Sequence, residues 1–198
     1  MNDTKNEAVE DFENGEAIVV QDTRRWLERA VIGLNLCPFA KAVHTKQQIH
    51  YVVSAGRKPE AVLEDIVREL QELHFADAEV RSTTLIMAPH CLDLDDFLEF
   101  NDFLSDADDA LFALELDGIL QIASFHPDFQ FAGTSKTDIT NATNRAPYPT
   151  LHLLREDEVA KAVAAFPEAE TIFEKNIDTL EALGNDGWKA LSVGRSQP

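Results

Sequence analysis

Apolar positions along this chain follow two rhythms: helical stripes spaced three and four apart, and short β-rich runs bounded by Gly or Pro. Trp26, Leu27, Ala30, Val31 and Leu34 form the first stripe and predict a helix with Asp22 as its N-cap. It should stop near Asn35, because Pro38 disfavours helical geometry at Cys37. A short second helix is expected to start at Pro38, a residue suited to a first helical position. Residues 48–54 read as a strand, and Pro59 then opens a helix with Val62, Leu63, Ile66, Val67, Leu70 and Leu73 on its buried face. Residues 83–88 form the second predicted strand, closed by Pro89. A long helix is expected over 94–116, capped by Asp93, with Leu94, Phe97, Leu98, Leu104, Ala107, Leu111 and Leu114 inward. Residues 118–125 and 150–154 are the remaining strands. Helices over 156–166 and 168–183 follow, the last ended by Gly184.

The order is helix, βαβαβ, a long polar connection, then β and helices. It predicts an α/β fold, a small mixed sheet of about four strands covered by helices, with a ferredoxin-like α+β arrangement as the alternative. The first three strands should run largely parallel if both intervening helices are crossovers. Residues 1–20 are polar and acidic without apolar periodicity and read as a disordered tail; 21–190 form a single domain, and 191–198 a second short tail.

Composition narrows this picture. A chain of 198 residues buries roughly 70% of its unfolded surface and needs no disulfide or structural metal to fold. Cys37 and Cys91 lie far apart and form no CxxC pair, which is reduced, cytosolic usage. The net charge of −19 argues against nucleic acid and anionic membranes, whose phosphates require a basic footprint. No Lys or Arg occurs between Arg81 and Lys136, while acidic residues crowd the same span; a solvated acidic helix face is expected there. No apolar run approaches the roughly 20 residues of a membrane span. The acidic opening is the wrong charge for a secretory leader, so a cytoplasmic protein is expected.

The candidate chemistry lies in the connection between the third and fourth strands and at its borders, from Ser124 to Glu156. Loops of this length between anchored strands are usually functional. Pro127, Pro147 and Pro149 restrict its backbone, and Phe129, Phe131 and Tyr148 offer anchors. His126 leaves a strand directly into the loop, where α/β sheets place ligands, and is the candidate general base or acid, against a hydrogen-bonded core histidine. His152 sits within the fourth strand on the face of Thr150 and Leu154, as a ligand contact or a satisfied core residue. Arg145 and Arg155 suit an anionic group, or internal ion pairs. Gln130, Thr134, Asn141, Asn144 and Tyr148 complete the candidate substrate contacts, though Asn141 and Asn144 also suit local turns.

Cys37 at the N-cap of a helix begun by Pro38 would feel the positive helix end, a nucleophile's environment; flanking Leu36 and Phe39 suggest burial instead. A zinc site from Cys37, His126 and His152 is chemically reasonable, but no spacing demands it, and Cys91 beside His90 is a weaker alternative. No metal is therefore assigned. No cofactor is assigned either, since the chain lacks a Walker or dinucleotide glycine pattern.

The motifs Asn35-Leu-Cys-Pro-Phe-Ala40, Ser124-Phe-His-Pro-Asp-Phe-Gln-Phe-Ala-Gly133 and Asn141-Ala-Thr-Asn-Arg-Ala-Pro-Tyr-Pro-Thr-Leu-His-Leu-Leu-Arg-Glu156 resemble a bacterial family of unknown function, numbered 1415. The resemblance covers about residues 22 to 185, with Ala146 standing where many relatives would carry Ser. It implies a cytosolic protein of this size and supplies no activity, cofactor or catalytic assignment. The leading expectation is an enzyme, a hydrolase or group transferase acting on a small anionic metabolite, with His126 as acid or base and Cys37 as nucleophile or pocket wall. The alternative is a non-catalytic ligand- or protein-binding module.

Overall fold

The structure, a computed structural model, describes residues 3–166 and 168–196. Helix α1 (Asp3–Trp26) passes without a break into a π-helical turn, Leu27–Ile32. Then follow α2 (Ala40–Thr45), β1 (Ile49–Val53), α3 (Pro59–Phe75), β2 (Thr83–Met87), a 3-10 turn at Leu92–Asp95 and α4 (Phe97–Ala113). After β3 (Leu120–Phe125) come a 3-10 turn at Ile139–Asn144, β4 (Thr150–Arg155), α5 (Glu156–Ala165), a 3-10 turn at Ala169–Thr171 and α6 (Ile172–Ala190).

The strands form one mixed sheet in the order β1-β2-β4-β3. β1 and β2 are parallel, and β4 runs antiparallel to both β2 and β3. The first three strands therefore point the same way, as expected, but β4 is inserted between β2 and β3. A ferredoxin-like arrangement is excluded by the parallel neighbours β1 and β2. Strand alternation gives the sheet two different faces. One carries Ile86, Leu120, Leu151 and Leu153 and packs beneath α3 and α4. The other carries Leu85 and Met87, which cluster with Val19 and Tyr148, while Trp26 meets Phe125 at 5.1 Å.

Helix α3 shows how patterning positions the core. Pro59 supplies the fixed φ of a first turn, and Val62, Ile66, Leu70 and Leu73 are wholly buried. Each such side chain contributes about 1.5–3 kcal/mol of transfer free energy, an upper figure for a compact unfolded chain.

Several expectations are corrected. The supposed N-terminal tail is helical from Asp3; Met1 and Asn2 lie outside the described residues. Asp22 is thus inside a helix and caps nothing, and Val19 is buried. The long helix over 94–116 is two elements, because the chain turns in extended geometry at Asp96, whose carboxylate caps α4 through Leu98 N and Glu99 N. Leu98, expected inward, is 71% exposed, and Phe100 and Phe103 are buried instead. Gly184 is a break within the last helix, at φ 66°, rather than its end; the helix resumes and runs to Ala190. The supposed C-terminal tail is docked through residue 196: Val193 is buried, and Arg195 bonds Pro147 O and Asp95. Gln197 and Pro198 lie outside the described residues.

Candidate functional site

The connection from β3 to β4 is an ordered loop that satisfies most of its polar groups internally. Asn141 is its keystone. Wholly buried, its Oδ1 accepts from Phe131 N at 3.0 Å and Thr134 Oγ1 at 2.8 Å, and its Nδ2 donates to Ser135 O at 2.8 Å. Gln130 donates to Thr134 O at 2.5 Å, and the Thr134 hydroxyl also lies 2.8 Å from Phe131 O, its one proton shared between that carbonyl and Asn141 Oδ1. Asn144 closes the loop onto β3, its carbonyl accepting from His126 N at 3.1 Å and its side chain reaching Ser124 O at 3.5 Å.

His126 is wholly buried at the loop's entrance. Its Nδ1 accepts from Asp128 N at 3.0 Å, which leaves Nε2 as the donor to Leu94 O at 3.0 Å. The ring lies between Phe97 and Phe100, at 5.5 and 5.1 Å. Burial pulls its pKa below the ordinary histidine value, opposed by the Leu94 carbonyl. Both nitrogens are committed, and a proton on Nδ1 would face the Asp128 N–H.

The arginines are likewise engaged by backbone. Arg145 donates from Nε to Phe129 O at 3.1 Å and from Nη2 to Lys136 O at 2.8 Å. Arg155 closes the carboxyl end of α3, donating to Leu73 O at 2.5 Å and Ala76 O at 2.7 Å. A cation on the last carbonyls of a helix opposes its dipole, so this guanidinium holds α3 to β4. Tyr148 is buried and donates to Asp22 Oδ2 at 2.8 Å. Burial raises its pKa, reinforced by the carboxylate it donates to.

His152 differs from these residues. It is half-buried on the sheet face opposite Leu151 and Leu153, as its position in the strand requires. Its Nε2 lies 2.7 Å from Thr83 Oγ1, and that hydroxyl already donates to Leu153 O at 2.5 Å. A hydroxyl has one proton, so His152 must donate from Nε2 and carry its lone pair on Nδ1. Nδ1 has no hydrogen-bond partner among the described residues. Burial pushes the His152 pKa down to about 4. Around it the sheet is thinly covered: five of the six β3 residues are only partly buried, including Gln121, Ala123 and Phe125 on the His152 face. Gln121 makes no side-chain hydrogen bond among the described residues.

Cys37 is not at a helix N-cap. Phe39 holds that position for α2, and Pro38 precedes the helix. The thiol is half-buried and packs on the Trp26 cluster, which Phe125 also joins. Phe125 in turn lies 6.2 Å from the His152 ring. Phe125 thus links the Trp26 cluster, on which Cys37 packs, to the His152 ring, while His126 lies in the other half of the core, against Phe97 and Phe100. Among the described residues, no group of three or more His, Cys, Asp or Glu could hold a metal ion, so Cys37, His126 and His152 do not form the suggested zinc site. Cys91 is buried in the main core, which raises its pKa. In native protein an alkylating reagent is expected to modify Cys37 and spare Cys91, both labelling in denaturant; intact-protein mass with peptide mapping checks this, and equal native labelling would contradict the burial difference.

Thr83 and Gln121 were not anticipated from sequence. Nothing in a strand's own residues tells which hydroxyl will face a histidine two strands of sequence away. Asp22 was noticed only as a cap.

Fold and site together define a mixed α/β protein with a helix-covered four-stranded sheet, one face of which carries half-buried His152 with an unpartnered Nδ1. A family model described as "Protein of unknown function (DUF1415)" matches residues 18–190, and the chain belongs to that family. No curated protein and no solved structure matches it. No helix among the described residues is long and apolar enough to cross a membrane.

Proposed function

We propose that this protein is an enzyme, a hydrolase or group transferase, that uses His152 as its general base at the thinly covered β3–β4 face. One observation carries the reading: Nε2–H is fixed by Thr83 while Nδ1 stays unprotonated and unpartnered. A base needs this arrangement, one nitrogen oriented and the other available. Cys37, on the same apolar cluster as Phe125, is the candidate nucleophile, with an activated water as the other option. The low pKa of His152 keeps it neutral at physiological pH but makes it a weak base. A small anionic substrate beside the ring would raise that pKa towards the working range, which favours anionic metabolites over neutral ones.

Arg145 and Arg155 have no part in this proposal, because carbonyls occupy them. His126 and Asn141 serve the loop's architecture. The test is a panel of small esters, thioesters and phosphorylated metabolites assayed with the parent and His152→Asn. The substitution should lower turnover of any active substrate about a hundredfold, the low end for a lost general base. Undiminished turnover by the variant would remove His152 from the chemistry.

A further inference from the structure

A cavity of about 370 Å³ opens on the far side of the Cys37 segment, between Asn35 and Pro38 and the face of α6. Its apolar wall is Leu34, Pro38, Phe166 and Ile172, and its polar lining includes Asn176 and Asp178. Asn176 is 94% buried, its relative exposure being 6%. Its Nδ2 donates to Leu36 O at 2.9 Å, which fixes the amide and leaves Oδ1 as an acceptor without a partner among the described residues. The residue is buried but this oxygen keeps access to solvent, so a donor entering the cavity can reach it. Asp178 also has no hydrogen bond or ion pair among the described residues. The cavity's cation, Lys175, is neutralised by Glu168.

Two open acceptors, one of them a carboxylate, beside an apolar wall define a site for a donor-rich cationic head on an apolar body. We propose that this cavity binds a small primary amine with an alkyl or aryl substituent, whose ammonium meets Asp178 and Asn176 Oδ1. A carboxylate of the same shape would face Asp178 and an acceptor, with Lys175 already paired. The site is independent of His152 and of the reaction proposed there.

Calorimetric titration at neutral pH with 2-phenylethylamine, its N-acetyl derivative and 3-phenylpropanoate tests this. The amine alone should bind saturably, with side-chain amide NMR shifts at Asn176. Asp178→Asn, at an exposed position on α6, should weaken it about tenfold, the scale of one lost charge-assisted hydrogen bond. Asp178→Lys should abolish it, while circular dichroism shows both variants folded. Absent binding of the amine, equal binding of the carboxylate or acetylated probe, or unchanged affinity in Asp178→Asn would each overturn the proposal.

Discussion

Replacing Asp22 with Ala is expected to destabilise the protein by about 3–5 kcal/mol, the range for breaking a buried charged network by removing one partner. Asp22 is wholly buried within α1, yet its carboxylate is saturated. Oδ1 accepts from Arg25 Nη2 and Ser196 Oγ, both at 2.6 Å, and Oδ2 accepts from Ser196 N at 2.7 Å and Tyr148 OH at 2.8 Å. Burial alone would raise its pKa, but the Ser196, Tyr148 and Arg25 hydrogen bonds outweigh it and the carboxyl titrates below its ordinary value. The alanine variant strands the Tyr148 hydroxyl, buried under the Arg195 guanidinium, 4.9 Å from the ring centre. It also frees the segment that Arg25 holds through Ser192 O and Gly194 O, both at 2.9 Å. Urea denaturation measures the loss, and amide exchange at Arg195 and Ser196 reports the release. A loss under about 1 kcal/mol, within reach of a single ordinary hydrogen bond, would contradict the network's role.

Why this network was invisible in the sequence is instructive. Asp22 just before an apolar stripe has the local signature of an N-cap, and only the chain's upstream helix and its distant end assign it otherwise. Local rhythm served well where an element's own residues decide it. The stripe of α3 and the β-rich runs of β1 to β4 were legible, as was the helix start at Pro59. It failed where non-local pairing decides: β4 slips between β2 and β3, and Asp96 rather than Asp93 starts α4, which turns Leu98 outward.

His152, the proposed base, lies inside the stretch that the sequence singled out, but the part each residue there plays was not legible. Residue types able to bind ligands are also the types able to fold a long polar loop, and in this loop folding claims most of them. Gln130 bonds the backbone of Thr134, Asn141 and Thr134 bond that of Phe131, and Arg155 bonds a helix end. In sequence His126, at a strand's exit, and His152, within a strand, were each open to a ligand role or a core role. They differ in what meets the second nitrogen: Leu94 O and Asp128 N occupy both positions on His126, while Thr83 occupies only one on His152. Satisfaction of the second nitrogen is a tertiary property, which no spacing rule contains.

Those histidines also set how the protein responds to acid. The folded state holds His152 neutral down to a pKa of about 4, against an ordinary value of 6.5. The unfolded chain therefore takes up a proton first as pH falls below 6.5, and protonation favours unfolding. The contribution is fully present above that pH, shrinks through the window from 6.5 to 4, and levels off once the folded form also protonates. Its size is about 3 kcal/mol at the rate of 1.36 kcal/mol per pH unit. Burial shifts His126 and His50 the same way, so they steepen the same fall, whereas Asp22, lowered from 3.8, acts only in stronger acid. Stability measured by urea denaturation at intervals from pH 7 to pH 4 should show the decline. In His152→Asn, which titrates nothing at this position, the slope should flatten by roughly the His152 share, leaving that of His126 and His50. An unchanged slope would mean that the imidazole is as easily protonated in the fold as out of it. A lone pair so accessible to protons would then be a stronger base at neutral pH than the burial of His152 allows.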